Sequence, residues 1–438
     1  MTTSNNDILI EDLAPELKRG PQWLQDKRTA SKESYNKAPI PRRGLHLWRY
    51  TDPASFIVSK TQGTDALFRD SLKNTITDEL NLLQDGHSSA FVVDKAGRDI
   101  DFHLNDSLKK DGIVISKLSD AVDSHYDIVN KYLYSLVNSE TGKFEAMNSA
   151  LWNDGIFIYV PDGKSVEKPI HLLRESALEN STQFPRLLVV VGKNAEVTII
   201  DEYAGGSTAH GDNASLTNSA VEICADADSR TRYISLQRNT DGAKVYLSHR
   251  AKAEQNATVL TIPLAFGGSV SKQNFGVTLN GAGADSKMYG LLFGGGNQHY
   301  DNHTLHHHAV GKTTSDINFK VVLKDKANSA YTGLIRIDNN AKVCEAYQEN
   351  RNLLLNKGCK AETIPELEIL NEDVMCSHGA TLGPIDPEMI FFLKCRGIKQ
   401  TEAVRMIVGG FVESTLNQVP TDLKEKVTEF VVKRLENI

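Results

Sequence analysis

The chain of 438 residues has few cysteines, no excess of positive charge and no long apolar run. Its five cysteines are odd in number and widely spaced, which excludes a dense disulfide framework and favours a reducing compartment. Because 56 acidic residues outnumber 49 lysines and arginines, bulk charge does not favour nucleic acid or an anionic membrane as a partner.

The length and the missing signals also limit the class of protein. A chain this long exceeds one compact core, so two or three structural units are expected. No apolar run of about eighteen residues is present, which argues against a transmembrane helix. The first residues lack the basic region and apolar run of a secretory signal, so a cytoplasmic location is predicted. The sequence contains no Ser–His–Asp signature, paired-carboxylate motif or dinucleotide fingerprint.

Patterning divides the chain into three regions. Residues 1–154 mix helical patterns, such as Asp120–Leu136, with a hairpin formed by Ala90–Val93 and Ile100–Leu104. Residues 155–383 carry recurring short strands. Residues 384–438 change to a helical period, which predicts an amphipathic, partner-accessible helical domain with helices that begin near 386, 401 and 421.

The central region indicates strands stacked in coils. Eight short β-branched runs recur, each bounded by Gly, Asn, Asp or Pro, and no helical pattern separates them. A parallel β-helix explains this pattern, because each coil buries its apolar face against its neighbours. A β-sandwich is the structural alternative. Many runs follow a small residue in a polar turn, at Ala195, Ala227, Ala257, Ala284 and Ala327, which are 32, 30, 27 and 43 positions apart.

A histidine-rich strand is one candidate site. Alternation places His299, Asp301 and His303 on one face, where imidazole and carboxylate could hold a divalent metal in a stand-alone metalloenzyme. The simpler interpretation is a solvent-facing polar strand. His308 ends the same cluster.

Cys376-Ser377-His378 is the second candidate site. On an extended chain, Cys376 and His378 project to the same face, and a thiolate with an imidazole could ligate iron. One chain supplies too few ligands here for a four-ligand cluster, so a functional site would be shared across a subunit interface. The alternative is a buried cysteine beside a hydrogen-bonded histidine.

The other cysteines are weaker candidates. Cys359 lies in a Lys-Gly-Cys-Lys turn and is a lesser candidate ligand. Cys224, Cys344 and Cys395 lie among apolar residues and are interpreted as core-filling side chains.

Motifs along nearly the whole chain point to one known family. They include Trp48-Arg-Tyr-Thr51, Asp154–Pro161, Asp301–His308, Asn350–Leu355 and Asp373–Thr381. Taken together they resemble the SufB/SufD family, the scaffold components of the Suf iron–sulfur cluster assembly system. The block Cys-Ser-His-Gly-Ala-Thr is the most specific of them.

Three positions are more similar to the SufD branch of this family than to the SufB branch. SufB-like proteins carry a cysteine at the position of Asn350, a histidine at Glu362 and a glutamate at Gly379. The resemblance therefore implies that the cysteine on which SufB builds or receives a cluster is missing here.

The resemblance implies a fold and a set of partners. The fold would be mainly β, a right-handed parallel β-helix flanked by an N-terminal α/β-mixed region and a C-terminal helical domain. SufB would be the partner in a heterodimer, and the ATPase SufC would dock on the C-terminal helices. A homodimer of the isolated chain, working with SufC alone, is the alternative, and Asn350 argues against it because neither copy would bring the SufB cysteine.

The resemblance also implies the ligands of a transient iron–sulfur cluster shared with SufB. His378 would lie at the SufB interface, with Cys376 and then Cys359 as further candidates. Asp301 and His308 are lesser candidates, and the isolated chain is not expected to hold a cluster.

Overall fold

The computed structural model describes residues 17–57, 70–95, 99–176, 181–208, 210 and 214–435. Its N-terminal part joins short helices to strands that extend the central sheets. The elements are α1 (Gln22–Lys37), 3-10 turns at His46–Trp48 and Pro53–Phe56, α2 (Asp70–Gln84), β1 (Ala90–Asp94), β2 (Ile100–Leu104), α3 (Asp106–Lys110), β3 (Val114–Lys117), α4 (Leu118–Ser124), α5 (Tyr126–Tyr132) and α6 (Lys143–Leu151).

The centre is a parallel β-solenoid of about eight turns, as the sequence predicted. From β7 onward, consecutive strands alternate between two sheets, so each coil contributes one strand to each sheet. The strands are β4 (Gly155–Val160), β5 (Ile170–Ser176), β6 (Thr182–Gln183), β7 (Arg186–Val191), β8 (Glu196–Gly205), β9 (Ser215–Ala225), β10 (Arg230–Asn239), β11 (Ala243–Ala253), β12 (Thr258–Ala265), β13 (Val270–Leu279), β14 (Asp285–Gly294), β15 (His299–His308), β16 (Thr314–Leu323), β17 (Asn328–Ile337), β18 (Cys344–Leu354), β19 (Lys360–Ile369) and β20 (Val374–Pro384).

The strands form two sheets that enclose one core. The first sheet runs in the order β2-β1-β5-β8-β10-β12-β14-β16-β18-β20, and the second in the order β19-β17-β15-β13-β11-β9-β7-β4-β3. The pairs β1–β2 and β3–β4 are antiparallel, and the others are parallel. Inward-facing aliphatic and aromatic side chains of both sheets fill one continuous core between them. That core explains why the strands form, because each coil removes apolar area from water only against the next coil.

Three helices follow the solenoid: α7 (Pro387–Lys394), α8 (Gln400–Leu416) and α9 (Thr421–Leu435). Their predicted starts are confirmed within a residue. The Asp386 side chain accepts a hydrogen bond from the Glu388 backbone N–H at 2.9 Å, and Gly397 has φ +83° just beyond α7. Valines and leucines of α8 and α9 pack on the outer face of the first sheet.

The predicted helical character of Asp120–Leu136 is confirmed as far as Tyr132, in two short helices, α4 and α5, with His125 at φ -131° between them. One prediction outside the solenoid was wrong. Cys395 is exposed at the C-terminus of α7 rather than buried in a core. The predicted hairpin is confirmed as β1 paired with β2, and its Ala-Gly turn lies outside the described residues. Among the helices that the structure describes, none has both the length and the apolar character to cross a bilayer.

Candidate functional site

The last coil leaves one end of the solenoid open. Strand β20 pairs with β18, strand β19 pairs with β17, and neither has a second partner in the described part of the chain. Two edges of ten or eleven residues therefore present backbone N–H and C=O groups to solvent. Such edges are templates for pairing with another chain.

His378 lies on β20 at this open end. In the register of β20 against β18, Cys376 is opposite Ala346, His378 is opposite Gln348 and Ala380 is opposite Asn350. Gln348 and Asn350 are buried inside the preceding coil, so their partners on β20 continue the interior face. His378 is nevertheless exposed, because no further coil covers it.

Cys376 shares the face of His378, as alternation predicted, but its surroundings differ. It is half-buried and packs on an apolar cluster that includes Ile335, Cys344 and Ala346. Burial raises the pKa of the Cys376 thiol, and the nearby Cys344 adds to that shift. The neutral thiol is therefore favoured at Cys376, and a thiolate is the form that binds metal.

The structure separates Cys359 from the other two candidates. Cys359 is buried, and its thiol donates to the backbone carbonyl of Asn356 at 3.0 Å. It immediately precedes β19, whereas Cys376 lies near the start of β20. Successive strands of a coil run in opposite directions, so the two thiols lie at opposite ends of the coil, roughly 25 Å apart at 3.3 Å per residue.

The histidine-rich strand β15 carries a buried ionic network rather than a solvent-facing polar strand. Lys272 donates to Asp301 Oδ2 at 2.9 Å and to His303 Nε2 at 2.8 Å. The Thr51 hydroxyl donates to Asp301 Oδ2 at 2.6 Å and contacts His299 Nε2 at 2.8 Å. Thr51 ends the Trp-Arg-Tyr-Thr motif, so this network attaches the N-terminal region to the second sheet.

The same network explains why Asp301 does not resemble a metal ligand. Burial alone would raise the pKa of Asp301, but the His303 ring, the Lys272 charge and the Thr51 hydroxyl hold it well below its usual value. The Lys272 ammonium fills the position between Asp301 and His303 that a cation would need. Within the residues that the structure describes, no three His, Cys, Asp or Glu side chains are arranged to hold a metal ion.

His308 lies inside the solenoid, and hydroxyls satisfy its ring. Its Nδ1 is 2.7 Å from Thr313 Oγ1, and its Nε2 is 2.9 Å from Ser315 Oγ. Burial lowers the pKa of His308 to about 4, so the ring is neutral near pH 7. Neither nitrogen is open to a ligand in this arrangement.

Two groups of exposed apolar residues were missed by the sequence patterns. Met375 and Leu382 on the open strand β20 are 57% and 50% exposed. On α7, Phe391 and Phe392 are 69% and 57% exposed. The adjacent phenylalanines were the available signal, since neighbouring residues of a helix point about 100° apart and cannot both face one packing surface.

Comparison with known proteins places most of the solenoid in one family match. Residues 173–411 match the model of the SUF system FeS cluster assembly SufBD core domain, and residues 16–172 match the SufBD protein N-terminal region. The chain is 27% identical to the iron–sulfur cluster assembly protein SufB of Bacillus subtilis, over 98% of this chain and 92% of that protein. It is 26% identical to iron–sulfur cluster assembly SufBD family proteins of Staphylococcus saprophyticus and Staphylococcus aureus, over 98% of this chain and 93% of each.

Proposed function

The chain belongs to the SufBD family of iron–sulfur cluster assembly proteins, and from that premise we propose that it is a SufD-type scaffold subunit. It pairs with a SufB subunit in the cytoplasm, binds the ATPase SufC and turns over no substrate itself. Its cargo is a nascent iron–sulfur cluster at the SufB interface. The single observation that carries this proposal is the exposed His378 on the interior face of an uncapped terminal coil.

The open edges of β19 and β20 support pairing with SufB. A second solenoid end can add its strands to these edges, with main-chain hydrogen bonds giving affinity and side chains giving specificity. The exposed Met375 and Leu382 supply apolar area for the same contact. A second copy of this chain could use the same edges, which is how a homodimer of the isolated chain would form.

The ligand assignment follows from the surroundings of each candidate. His378 offers an exposed imidazole, whereas burial holds Cys376 as a thiol and Cys359 donates to the backbone at the far end of the coil. We therefore assign His378 as the ligand from this chain, with Cys376 second and Cys359 third. Asn350 is buried and donates to the Phe319 carbonyl at 2.9 Å, so the thiolates must come from SufB.

The C-terminal helices support docking of SufC. Helices α8 and α9 are anchored, since Lys320 donates to the Phe411 carbonyl and Arg434 to Gln298. Helix α7 instead exposes Phe391 and Phe392. SufC units bound to both scaffolds would dimerise on ATP binding and pull on the anchored helices. Because those helices pack on the sheet that ends in β20, the pull would open the SufB interface to iron and sulfur.

Changing His378 to Ala is expected to abolish most cluster formation while pairing is kept, because an exposed side chain contributes little to folding. The measurement is anaerobic iron–sulfide reconstitution of the complex with SufB and SufC, followed by its visible absorbance. Ser377→Ala is the matched control, since Ser377 is the exposed neighbour on the opposite face of β20. Full cluster yield with His378→Ala in an intact complex would contradict the assignment of His378 as a ligand. Cluster absorbance on this chain without SufB would contradict a site shared with SufB.

Changing Phe391 and Phe392 together to Glu is expected to weaken SufC binding by about 100-fold or more, because charge replaces two apolar anchors at an interface. The thermal midpoint should stay unchanged, since both side chains are already exposed. Calorimetry with SufC gives the affinity. Met406→Glu on α8, where Met406 is 49% exposed, is the control. Unchanged affinity in the double variant would place the SufC contact elsewhere.

A further inference from the structure

A cavity of about 400 Å³ lies between the N-terminal region and the outer face of the second sheet. Its floor is formed by side chains of β11, β13, β15 and β17, and its roof by Leu47 and Trp48. Phe144 and Glu145 of α6 form one wall. This volume lies in the range of small-ligand sites, and His378 is not among the residues that line the cavity. Neither scaffold pairing nor SufC docking gives this cavity a role.

Arg250 is one of three lysine or arginine residues that line this cavity, with Lys143 and Lys272, and it has no acidic partner within ion-pair distance in the described part of the chain. Its Nη1 donates to the backbone carbonyls of His249 at 2.8 Å and Asn274 at 3.1 Å, which fixes the plane of the guanidinium. Gly276 makes room for it, because a Cβ at that position would lie 2.9 Å from Arg250 Cδ and 3.2 Å from Nε. The remaining N–H groups are held ready for a planar acceptor such as a carboxylate.

His303 supplies a second polar group that lacks a partner. It is 8% exposed and lines the cavity, and its Nδ1 has no hydrogen-bond partner among the residues described. Its Nε2 is engaged by the Lys272 ammonium at 2.8 Å. Nε2 also lies 2.7 Å from Asp301 Oδ1, so both contacts with the strand network fall on this nitrogen, and Nδ1 is the nitrogen left for a polar group of a ligand. A buried polar atom without a partner calls for an explanation of this kind.

The charges around the cavity limit the ligand to a single negative charge. Asp301 neutralises Lys272, and His46 contacts Glu366 at 3.1 Å on the rim. Glu145 is buried and accepts hydrogen bonds from the hydroxyls of Tyr246, at 2.7 Å, and Ser248. Lys143 is engaged by the backbone carbonyls of Tyr35 and Ala38, both at 2.8 Å, so Arg250 is the cation whose N–H groups are left for a ligand, while the nearby Glu145 disfavours a dianion. The rest of the lining is largely apolar, including Leu47, Leu305 and Leu334.

We propose that this cavity binds a small organic monocarboxylate with an apolar body. The carboxylate pairs with the Arg250 guanidinium, and the body lies among the aliphatic and aromatic side chains beneath Leu47 and Trp48. Because one wall belongs to the N-terminal region and the floor to the solenoid, the ligand contacts both. Binding therefore strengthens the attachment of these two parts of the chain.

The test uses the full chain and three probes: phenylacetate, octanoate and the neutral phenylacetamide. Saturation-transfer NMR and calorimetry should detect saturable binding of at least one carboxylate with a Kd of about 0.1–1 mM, as suits ligands of this size. Arg250→Gln should weaken that binding at least about tenfold, because the charge-assisted pair is lost. Phenylacetamide should bind the native chain correspondingly weakly.

Two further variants keep the test decisive. Leu334 is a half-buried residue of the cavity lining, so Leu334→Trp should fill the cavity while Arg250 is kept. This variant replaces Arg250→Gln if Arg250→Gln fails to fold. Lys252→Gln is the matched control, because Lys252 lies two residues along the same face of β11 and outside the cavity. The proposal is overturned if neither carboxylate binds saturably, if phenylacetamide binds as tightly, or if Lys252→Gln loses as much affinity as Arg250→Gln.

Discussion

Replacing Glu222 with Gln is expected to lower the free energy of unfolding by about 3–5 kcal/mol, because it leaves the buried Arg186 without its partner charge. Glu222 and Arg186 are both fully buried, and Arg186 Nη2 donates to Glu222 Oε1 at 2.6 Å. The Glu222 carboxylate also accepts backbone N–H groups of Tyr134 at 3.0 Å and Leu136 at 2.9 Å. One carboxylate thus joins strand β9 to the turn after α5.

The damage should be concentrated where the N-terminal region meets the solenoid. A glutamine at 222 would turn an NH₂ group toward backbone donors, and each mismatched donor would remain buried. Urea denaturation gives the loss, and hydrogen exchange locates it. The turn at residues 134–137 should lose protection before the strands of the last coils do. Glu196→Gln, an exposed position on β8, should change stability by less than about 0.5 kcal/mol. Equal losses for the two variants would contradict the assigned role of Glu222.

The sequence predicted one sheet better than the other, and burial explains why. Strands of the first sheet are apolar on both faces, because their inner face enters the core and their outer face is covered by α8 and α9. The runs at Tyr233–Leu236 and Met288–Leu292 were visible for that reason. Strands of the second sheet such as β13 and β15 have an outer face of Lys272, Asp301 and similar side chains, so no apolar run revealed them.

The regularly spaced alanines mark the turns before strands, but not all of them lie in register with one another. Ala195, Ala257 and Ala284 occupy one column of the first sheet, immediately before β8, β12 and β14. Before β10, which lies between β8 and β12, that column holds Ser229, and Ala227 is two residues out of register. In the coil after β14 that column holds Thr313, immediately before β16. Ala327 instead precedes β17 of the second sheet, which accounts for the long interval of 43. Small side chains fit this tight turn, and alanine is only one of those that do.

The candidate site was predictable only as far as local geometry reaches. Alternation along β20 correctly placed Cys376 and His378 on one face, because that relation depends on two residues of the same strand. The separation of Cys359 from Cys376 depends on the direction of successive strands in a coil. The Lys272 ammonium between Asp301 and His303 depends on a neighbouring strand 29 residues away. Neither relation can be recognised from a local sequence pattern.

Acidification below pH 6.5 is expected to destabilise the protein steeply, because three interior histidines are held neutral. Burial lowers the pKa of His249 and His306 to about 3 and that of His308 to about 4. An unfolded histidine has a pKa of about 6.5, so between that value and the folded pKa the unfolded state binds more protons. Stability is therefore complete above pH 6.5 and lost as pH falls, by on the order of 4 kcal/mol per pH unit near pH 5 for three protons.

His249→Phe isolates one of these protons. Neither nitrogen of His249 has a hydrogen-bond partner in the described part of the chain, and its ring stacks on Tyr233 at 4.8 Å between centroids. Phenylalanine keeps the ring and cannot be protonated, so the slope of stability against pH should fall by the contribution of one proton, about 1.4 kcal/mol per pH unit near pH 5. Relative to the native chain, the variant should gain about 2 kcal/mol between pH 8 and pH 5. Urea denaturation at pH 8, 6 and 5 measures this, and the pH 8 values remove any constant packing difference. Parallel pH profiles for the two proteins would mean that His249 is already protonated in the folded state or does not titrate on unfolding.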